Sequence, residues 1–388
     1  MGHGHGRPPA ARAPQGFPIT VAHRSQPARS LVTTAGYHLR MITFHNRLHA
    51  LHQGRQEMFR GQMVPCFEVP ARVDHVLAQI EQRKLGPVQH PARFDEAVLA
   101  GIHAPLYLHF LEHAWDDWVA QDPTNAARDA LPSVWPNHGL RSDVLPANFA
   151  ARMGRFAFDT GSPLTAGTWV AAREGAFCAL SAAYAVADGA GTAFALSRPP
   201  GHHAGADFYG GYCFLNNAAL AAQALRDCGL EHVAVLDVDY HHGNGTQSIF
   251  YHRADVLFAS IHGDPHTEYP FFLGYADEQG AGAGAGYNLN LPLPRGTGFA
   301  AWREALAVAL RRIADFGTEA LVVSLGLDTF EGDPISGFQL RGDDYFRVGE
   351  DLAQARLPTV FIFEGGYAVA ELGVNTVNVL EGFVQGRR

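Results

Sequence analysis

Charge is scarce in this 388-residue chain: 17% of residues are charged, against 47% apolar. That balance excludes an intrinsically disordered chain and suits a large buried core. Positive charge is the smaller share, with 29 basic residues against 38 acidic ones and a net charge of −9. A chain this acidic is a poor candidate for wrapping nucleic acid or an anionic membrane, so neither is expected as a partner. No apolar run reaches the ~18 residues that a membrane-spanning helix needs. Cysteines number only four (Cys66, Cys178, Cys213 and Cys228), with no CxxC pair and no regular spacing. They outline neither a disulfide framework nor a thiolate zinc site, which points to a reducing, cytoplasmic compartment. Acids are missing altogether before Glu57. Residues 1–40 also lack the apolar core of a secretory signal, and their early Pro and Gly oppose the amphipathic helix of a transit peptide. They read as a disordered extension or an over-called start, with Met41 the natural beginning.

Histidine is abundant, with 21 residues, which makes metal or acid–base chemistry worth seeking. Beyond residue 40, short apolar runs alternate with helical stretches. The runs are FALS (194–197), VAVLDVD (233–239), VLFASI (256–261), ALVVSLGLD (320–328) and TVFIFE (359–364). Strands apolar on both faces belong to a parallel sheet covered on each side. Helices are expected over 168–187, 216–227, 299–315, 343–354 and 372–384. The predicted fold is α/β: a single domain at 41–388 with a doubly wound, mainly parallel sheet and helices on both faces. Residues 131–167 are rich in Pro, Gly and Asn with little periodicity; a span this long without structure inside a compact domain is often functional.

Ligands of an open parallel sheet bind beyond the carboxyl ends of its strands. Here those ends carry His202 and His203, Asp237 and Asp239, His241 and His242, His262, Asp328, and Glu364 followed by Gly365, Gly366 and Tyr367. Asp239-x-His241 would place two side chains on one strand face by the period-two rule, and Asp328 from another strand end would complete three ligands. Two carboxylates and an imidazole suit zinc with positions left open; a capping or salt-bridge feature is the other reading. His202 and His203, adjacent on a tight turn, are expected to point apart and to need separate partners. Asp237 would hold one ring charged and Asn244 the other neutral, splitting two imidazoles into different environments. Tyr367, after two glycines, could donate to a developing oxyanion.

Six stretches, RPPGHHAG, GGYCFLNN, VLDVDYHHGNGTQ, FASIHGDP, SLGLDTFEGDP and EGGY, resemble in sequence and order the histone deacetylase superfamily, over roughly residues 41–385. Within it, HGNGTQSIFY, HGDPHTEYPFFLGYADEQGAGAGAGYN and VSLGLDTFEGDPISGF are similar to the bacterial acetylpolyamine amidohydrolases. The resemblance implies an arginase-like α/β fold and one zinc held by Asp239, His241 and Asp328. It implies His203 as general base and acid, His202 paired with Asp237 as its electrostatic neighbour, Tyr367 as oxyanion donor, and Tyr212 and Tyr269 lining an acyl-amine tunnel. It further implies structural potassium at Asp237, Asp239, His241, Ser260 and Ile261, with a second site near Phe250, Arg253 and Val256. Arginases hold two manganese ions with two further aspartates; Gly243 and Phe330 stand at the matching positions, which opposes a two-metal enzyme.

The expected activity is zinc-dependent deacetylation of an acylated small-molecule amine, with an acetylpolyamine as the implied substrate and a homodimer built through the 131–167 insert. That insert departs from the family in containing no glutamate. Asp143 and Asp159 are its acids, while Arg141, Arg152 and Arg155 add positive charge. The departure opens the alternative of an acyl-lysine or another acylated small molecule as substrate. A catalytically silent metal-binding sensor is opposed by the completeness of the set.

Overall fold

The computed structural model describes residues 41–388. The extension expected at 1–40 lies outside the described residues. Among these, ten strands and nine helices follow one another as β1 (Ile42–His45), the antiparallel hairpin β2 (Gln56–Phe59) and β3 (Gln62–Pro65), α1 (Ala71–Arg83), β4 (Val88–Gln89), α2 (Pro105–Gln121), α3 (Phe149–Phe156), α4 (Thr168–Ala187), β5 (Thr192–Leu196), α5 (Asn217–Asp227), β6 (Val233–Asp237), α6 (Asn244–Phe250), β7 (Val256–Gly263), β8 (Asn288–Leu293), α7 (Phe299–Asp315), β9 (Ala320–Leu325), α8 (Gly342–Ala353), β10 (Thr359–Phe363) and α9 (Val369–Gly386). Eight strands form one sheet in the order β4-β1-β5-β10-β9-β6-β7-β8, every pair parallel.

The strand residues divide between two cores by the period of the pleat. On β9, Ala320 and Val322 join Ala176 and Ala179 of α4 and Ala222 of α5. Leu321 and Val323 join Val348 and Leu352 of α8 and Leu380 of α9. β10 divides likewise, Val360 and Ile362 on one side and Phe361 and Phe363 on the other. This is the doubly wound α/β sheet expected from the apolar runs, buried on both faces. Chain order reverses about the middle of the sheet: β5 and β6 are separated by β10 and β9, which enter last. The carboxyl ends of these four strands are therefore neighbours, although their residues are far apart in sequence.

The 131–167 segment differs from the structureless span expected. A bridge between Ala130 and Leu164 closes its base, and it contains α3. Asn148 caps that helix by accepting from the Ala151 N–H at 3.2 Å, and Phe149, Met153 and Phe156 bury one face. Two turns of helix are too few for the 3.6-residue period to stand out in sequence.

A buried ionic network ties the start of α1 to the sheet. Glu68 accepts from Arg72 at 2.9 Å and from Arg198 at 2.7 Å, and both guanidiniums are fully buried. Arg72 also donates to the Gly366 carbonyl at 2.7 Å and to that of Glu364, and it lies 5.0 Å from the centre of the Tyr367 ring. Arg198 donates to the His52 carbonyl at 2.7 Å. The loop after β10 is thus held by a cation that Glu68 neutralises. Removing one partner of such a network leaves an uncompensated buried charge. Glu68→Ala is expected to lower unfolding stability by about 3–5 kcal/mol, read from the denaturant midpoint.

Candidate active site

β6 ends at Asp237, so Asp239 and His241 lie beyond the strand, and strand periodicity does not align them as the sequence suggested. Local hydrogen bonds do. The Asp239 N–H donates to Asp237 Oδ1 at 3.1 Å, and the His241 N–H donates to Asp239 Oδ1 at 2.9 Å. These are successive side-chain-to-backbone turns of the kind aspartate favours. Asp328, beyond β9, accepts from the Tyr240 N–H at 2.8 Å. The ligand atoms of Asp239, His241 and Asp328 all lie within 4.8 Å of one another, in buried surroundings. His241 Nδ1 is 2.9 Å from Asp328 Oδ2 and 3.4 Å from Asp239 Oδ1.

Two buried carboxylates this close repel each other. Burial and then Asp239 push the Asp328 carboxyl up. Burial would also raise Asp239, but His202 and His241 outweigh it and hold that carboxyl well below its usual range. Burial opposes protonation of His241, yet the two carboxylates raise it to about 10. All three groups converge on one positive charge, and this donor set fits a divalent cation. Backbone fixes the carboxylates further: the Gly365 N–H donates to Asp239 Oδ2 at 2.9 Å. A Cβ on Gly365 would sit 2.5 Å from that oxygen, so only glycine permits the approach. At Gly243, where arginase-type chemistry would place a ligand, a Cβ would sit 2.1 Å from Asp237 Oδ2. The site has room for no side chain there.

His202 and His203 follow β5. Their rings are not splayed apart as expected but lie 4.0 Å between centroids. Their partners nonetheless differ. His202 Nδ1 is 2.9 Å from Asp237 Oδ2, and His203 Nδ1 is 2.6 Å from Asn244 Oδ1. Burial disfavours the charged form of both. At His202 the Asp239 and Asp237 carboxylates overcome it and raise the ring to about 10. At His203 burial is reinforced by His202 and His241, and the ring is held well below the usual histidine range. The amide oxygen of Asn244 can only accept, so Nδ1 of His203 carries the hydrogen and Nε2 the lone pair.

His203, His241, Tyr212, Tyr269 and Tyr367 line one cavity of about 290 Å³. Burial raises the Tyr367 hydroxyl well above its ordinary value, against the opposing pull of Arg72, so it stays a donor. Its backbone N–H is fixed by Asp333 at 2.7 Å. The Tyr212 hydroxyl donates to Glu57 Oε1 at 2.7 Å. The Tyr269 hydroxyl donates to Asp159 Oδ2 at 2.7 Å, and its ring stands perpendicular to His203 at 5.1 Å. The positions matched to potassium sites fall nearby: Ser260 pairs with Asp237 across the β6–β7 register, and its hydroxyl lies 2.8 Å from His262 Nδ1. Phe250 ends α6, Val256 starts β7, and Arg253 lies between them, donating its N–H to the Phe250 carbonyl at 2.9 Å.

Sequence reasoning missed Glu57 and the aromatic rim. Glu57 lines the cavity with Met58, Phe59 and Arg60 from the β2–β3 hairpin, and Phe271 lines it from the loop after β7. Glu57 had one signal: it is the first acid of the chain, set in a QEMFRGQMVP stretch that reads as a hairpin once its Arg60–Gly61 turn is recognised. Burial pushes its carboxyl up to about 7, against the hydrogen bonds from Tyr212 and Phe67. The three arginines of the 131–167 insert carry less net charge than their sequence implied. Arg141 pairs with Asp143, Arg152 with Asp117 of α2, and Arg155 with Asp207.

Comparison with known proteins agrees with this geometry. The histone deacetylase domain family matches residues 66–383. The chain is 53% identical to acetylpolyamine amidohydrolase 2 of Pseudomonas aeruginosa over 88% of its own length and 98% of the relative's. It is 46% identical to the acetylpolyamine amidohydrolase of Mycoplana ramosa over 86% of its own length and 97% of that protein's. A crystal structure of the acetylpolyamine aminohydrolase from Burkholderia pseudomallei superposes with a TM-score of 0.85 at 42% identity, covering 90% of this chain and all of that one. Fold, site geometry and sequence together place this chain in the histone deacetylase family, as a metal-dependent hydrolytic enzyme acting on amides.

Proposed function

We propose that this chain removes acetyl groups from acetylated amines, acetylpolyamines among them, with zinc held by Asp239, His241 and Asp328. The observation that carries the proposal is the cavity that brings together a neutral imidazole, a protonated phenol and His241, one member of a converging two-carboxylate, one-imidazole set. Zinc bound by that set would supply Lewis acidity toward an amide carbonyl and lower the pKa of water toward ~7. His203 Nε2 takes the proton of the attacking water, while Asn244 holds its Nδ1–H in place. The same nitrogen then gives that proton to the departing amine, and acetate leaves. The Tyr367 hydroxyl donates to the carbonyl oxygen as negative charge develops there. His202, held charged against Asp237, keeps positive charge beside the reacting centre and keeps His203 neutral.

Recognition of a cationic amine rests on Glu57 and Asp159 in the cavity wall, with the insert arginines already paired to aspartates. The alternative substrate, an acyl-lysine, uses the same catalytic end. Structural potassium belongs around Asp237, Asp239, His241, Ser260 and Ile261, with a second ion by Phe250, Arg253 and Val256. A homodimer through the insert is supported by its exposed Val134, Trp135, Leu140, Val144 and Leu145. The four unpatterned cysteines support a cytoplasmic setting. No helix among the described residues is long and apolar enough to cross a membrane.

Tyr367→Phe is expected to lower kcat for an acetylated diamine by about 10²–10³ with little change in KM, as for loss of one oxyanion donor. His203→Ala is expected to lose activity in the same assay; wild-type rates in either variant would remove that residue from its role. Dialysis against a chelator is expected to abolish turnover, and one equivalent of zinc to restore it. Asp239→Ala and Asp328→Ala should retain no zinc by elemental analysis. A further expectation concerns Glu57. With a pKa raised to about 7 it is neutral below that pH and ionised above it. KM for an acetylated diamine bearing a free ammonium should therefore fall, by up to about tenfold, as pH rises from about 6 to about 8. Glu57→Gln should flatten that dependence, and an acetylated amine without a second amino group should not show it.

A further inference from the structure

The β2–β3 hairpin supplies one side of the cavity, and Arg60 is at its tip. Among the residues lining the cavity, Arg60 is the one Lys or Arg. Other charged groups of the lining are engaged. Glu57 accepts from Tyr212, Asp159 from Tyr269 and the Gly211 N–H, and Glu268 pairs with Arg295 at 3.2 Å. Arg60 is different: among the described residues no carboxylate pairs with it, and its recorded contact is with the Phe59 ring, 5.0 Å from guanidinium to centroid. Phe59 is itself held edge-on against Phe67 at 5.3 Å. The guanidinium is therefore seated on a fixed aromatic face, with its N–H fork free to bind an anion bidentately.

The turn makes this placement more specific. Arg60 has φ 48° and Gly61 φ 81°, a two-residue left-handed turn. Asn-Gly or Asp-Gly is the usual choice there, because a larger side chain is disfavoured at positive φ. Arginine is present despite that local preference, and what it adds is reach and charge at the cavity wall. Along the hairpin, Glu57 is buried and Arg60, three residues on, is exposed. A ligand whose amide lies at His203 and Tyr367 would meet a carboxylate at Glu57 and a guanidinium at Arg60. The buried carboxylate and the exposed guanidinium together complement a substrate that carries an ammonium and, at its outer end, a carboxylate.

We propose that Arg60 is a specificity residue that binds a carboxylate at the outer end of the substrate, so that ω-N-acetylated diamino acids are substrates alongside acetylated diamines. The proposal rests on the amidohydrolase reading of the same cavity. Nε-acetyl-lysine and N-acetylcadaverine test it, since they differ by one carboxylate. kcat/KM for both is measured on the full-length zinc-loaded protein, on Arg60→Ala, on Arg60→Glu and on the conservative Arg60→Lys. The ratio of Nε-acetyl-lysine to N-acetylcadaverine is expected to fall about tenfold in Arg60→Ala, through KM, and further in Arg60→Glu, with Arg60→Lys intermediate. A ratio that agrees within about twofold across all four proteins overturns the assignment of Arg60, as does wild-type turnover of N-acetylcadaverine alone. Wild-type turnover of neither compound overturns the amidohydrolase reading itself, and this inference with it.

Discussion

Two carboxylates and an imidazole forced to share one point, out of contact with bulk water, set the terms for the rest of this structure. Asp239 and Asp328 would drive each other apart if left to Coulomb's law in a medium of low dielectric. They stay because backbone amides from Tyr240, His241 and Gly365 fix their oxygens and because His241 stands within 3.4 Å of both. The same accumulation of negative charge decides the fate of the neighbouring rings. His202 is drawn into the charged state, and burial, reinforced by that charge, keeps His203 neutral. One electrostatic arrangement thereby yields a cation-binding set and a free imidazole lone pair a few ångströms apart.

The opposite side of the site is governed by positive charge. Arg72 and Arg198 are sealed in the protein with Glu68 between them. Through carbonyls at Glu364 and Gly366, Arg72 sets the loop that ends in Tyr367. The phenol is thus positioned from behind by a guanidinium, while the sheet delivers the acids from the front. Helix α1 becomes part of the machinery through Arg72, which also lies 5.0 Å from the centre of the Tyr367 ring.

Much of this was legible in the sequence, and the reasons for success and failure are physical. Runs such as ALVV (320–323) and VFIF (360–363) are apolar at every position because both faces of β9 and β10 are covered, so the fold class could be read directly. The polar residues following those runs gave the catalytic end, since parallel strands all deliver their carboxyl ends to one rim. Helices α1 and α2, ahead of the first expected strand, went unread, as did the shortest elements. β1, β4 and the β2–β3 hairpin have too few residues for periodicity, and α3 has only eight. Glu57 and Arg60 were missed for that reason: their place in the cavity depends on how the hairpin folds over it. The positive charge of the insert was misjudged because its partners, Asp117 and Asp207, come from outside it. The close approach of the His202 and His203 rings depends on partners 35 and 41 residues away.

Asp159 is the one insert carboxylate that reaches the cavity, and it clasps both of its tyrosine-bearing loops, through the Tyr269 hydroxyl and the Gly211 N–H that precedes Tyr212. The width of the channel is consequently written in a segment that contributes almost nothing to the chemistry. Grafting this segment onto a related scaffold would carry the spacing of the two aromatic walls with it, whether or not any transplanted side chain ever met a substrate.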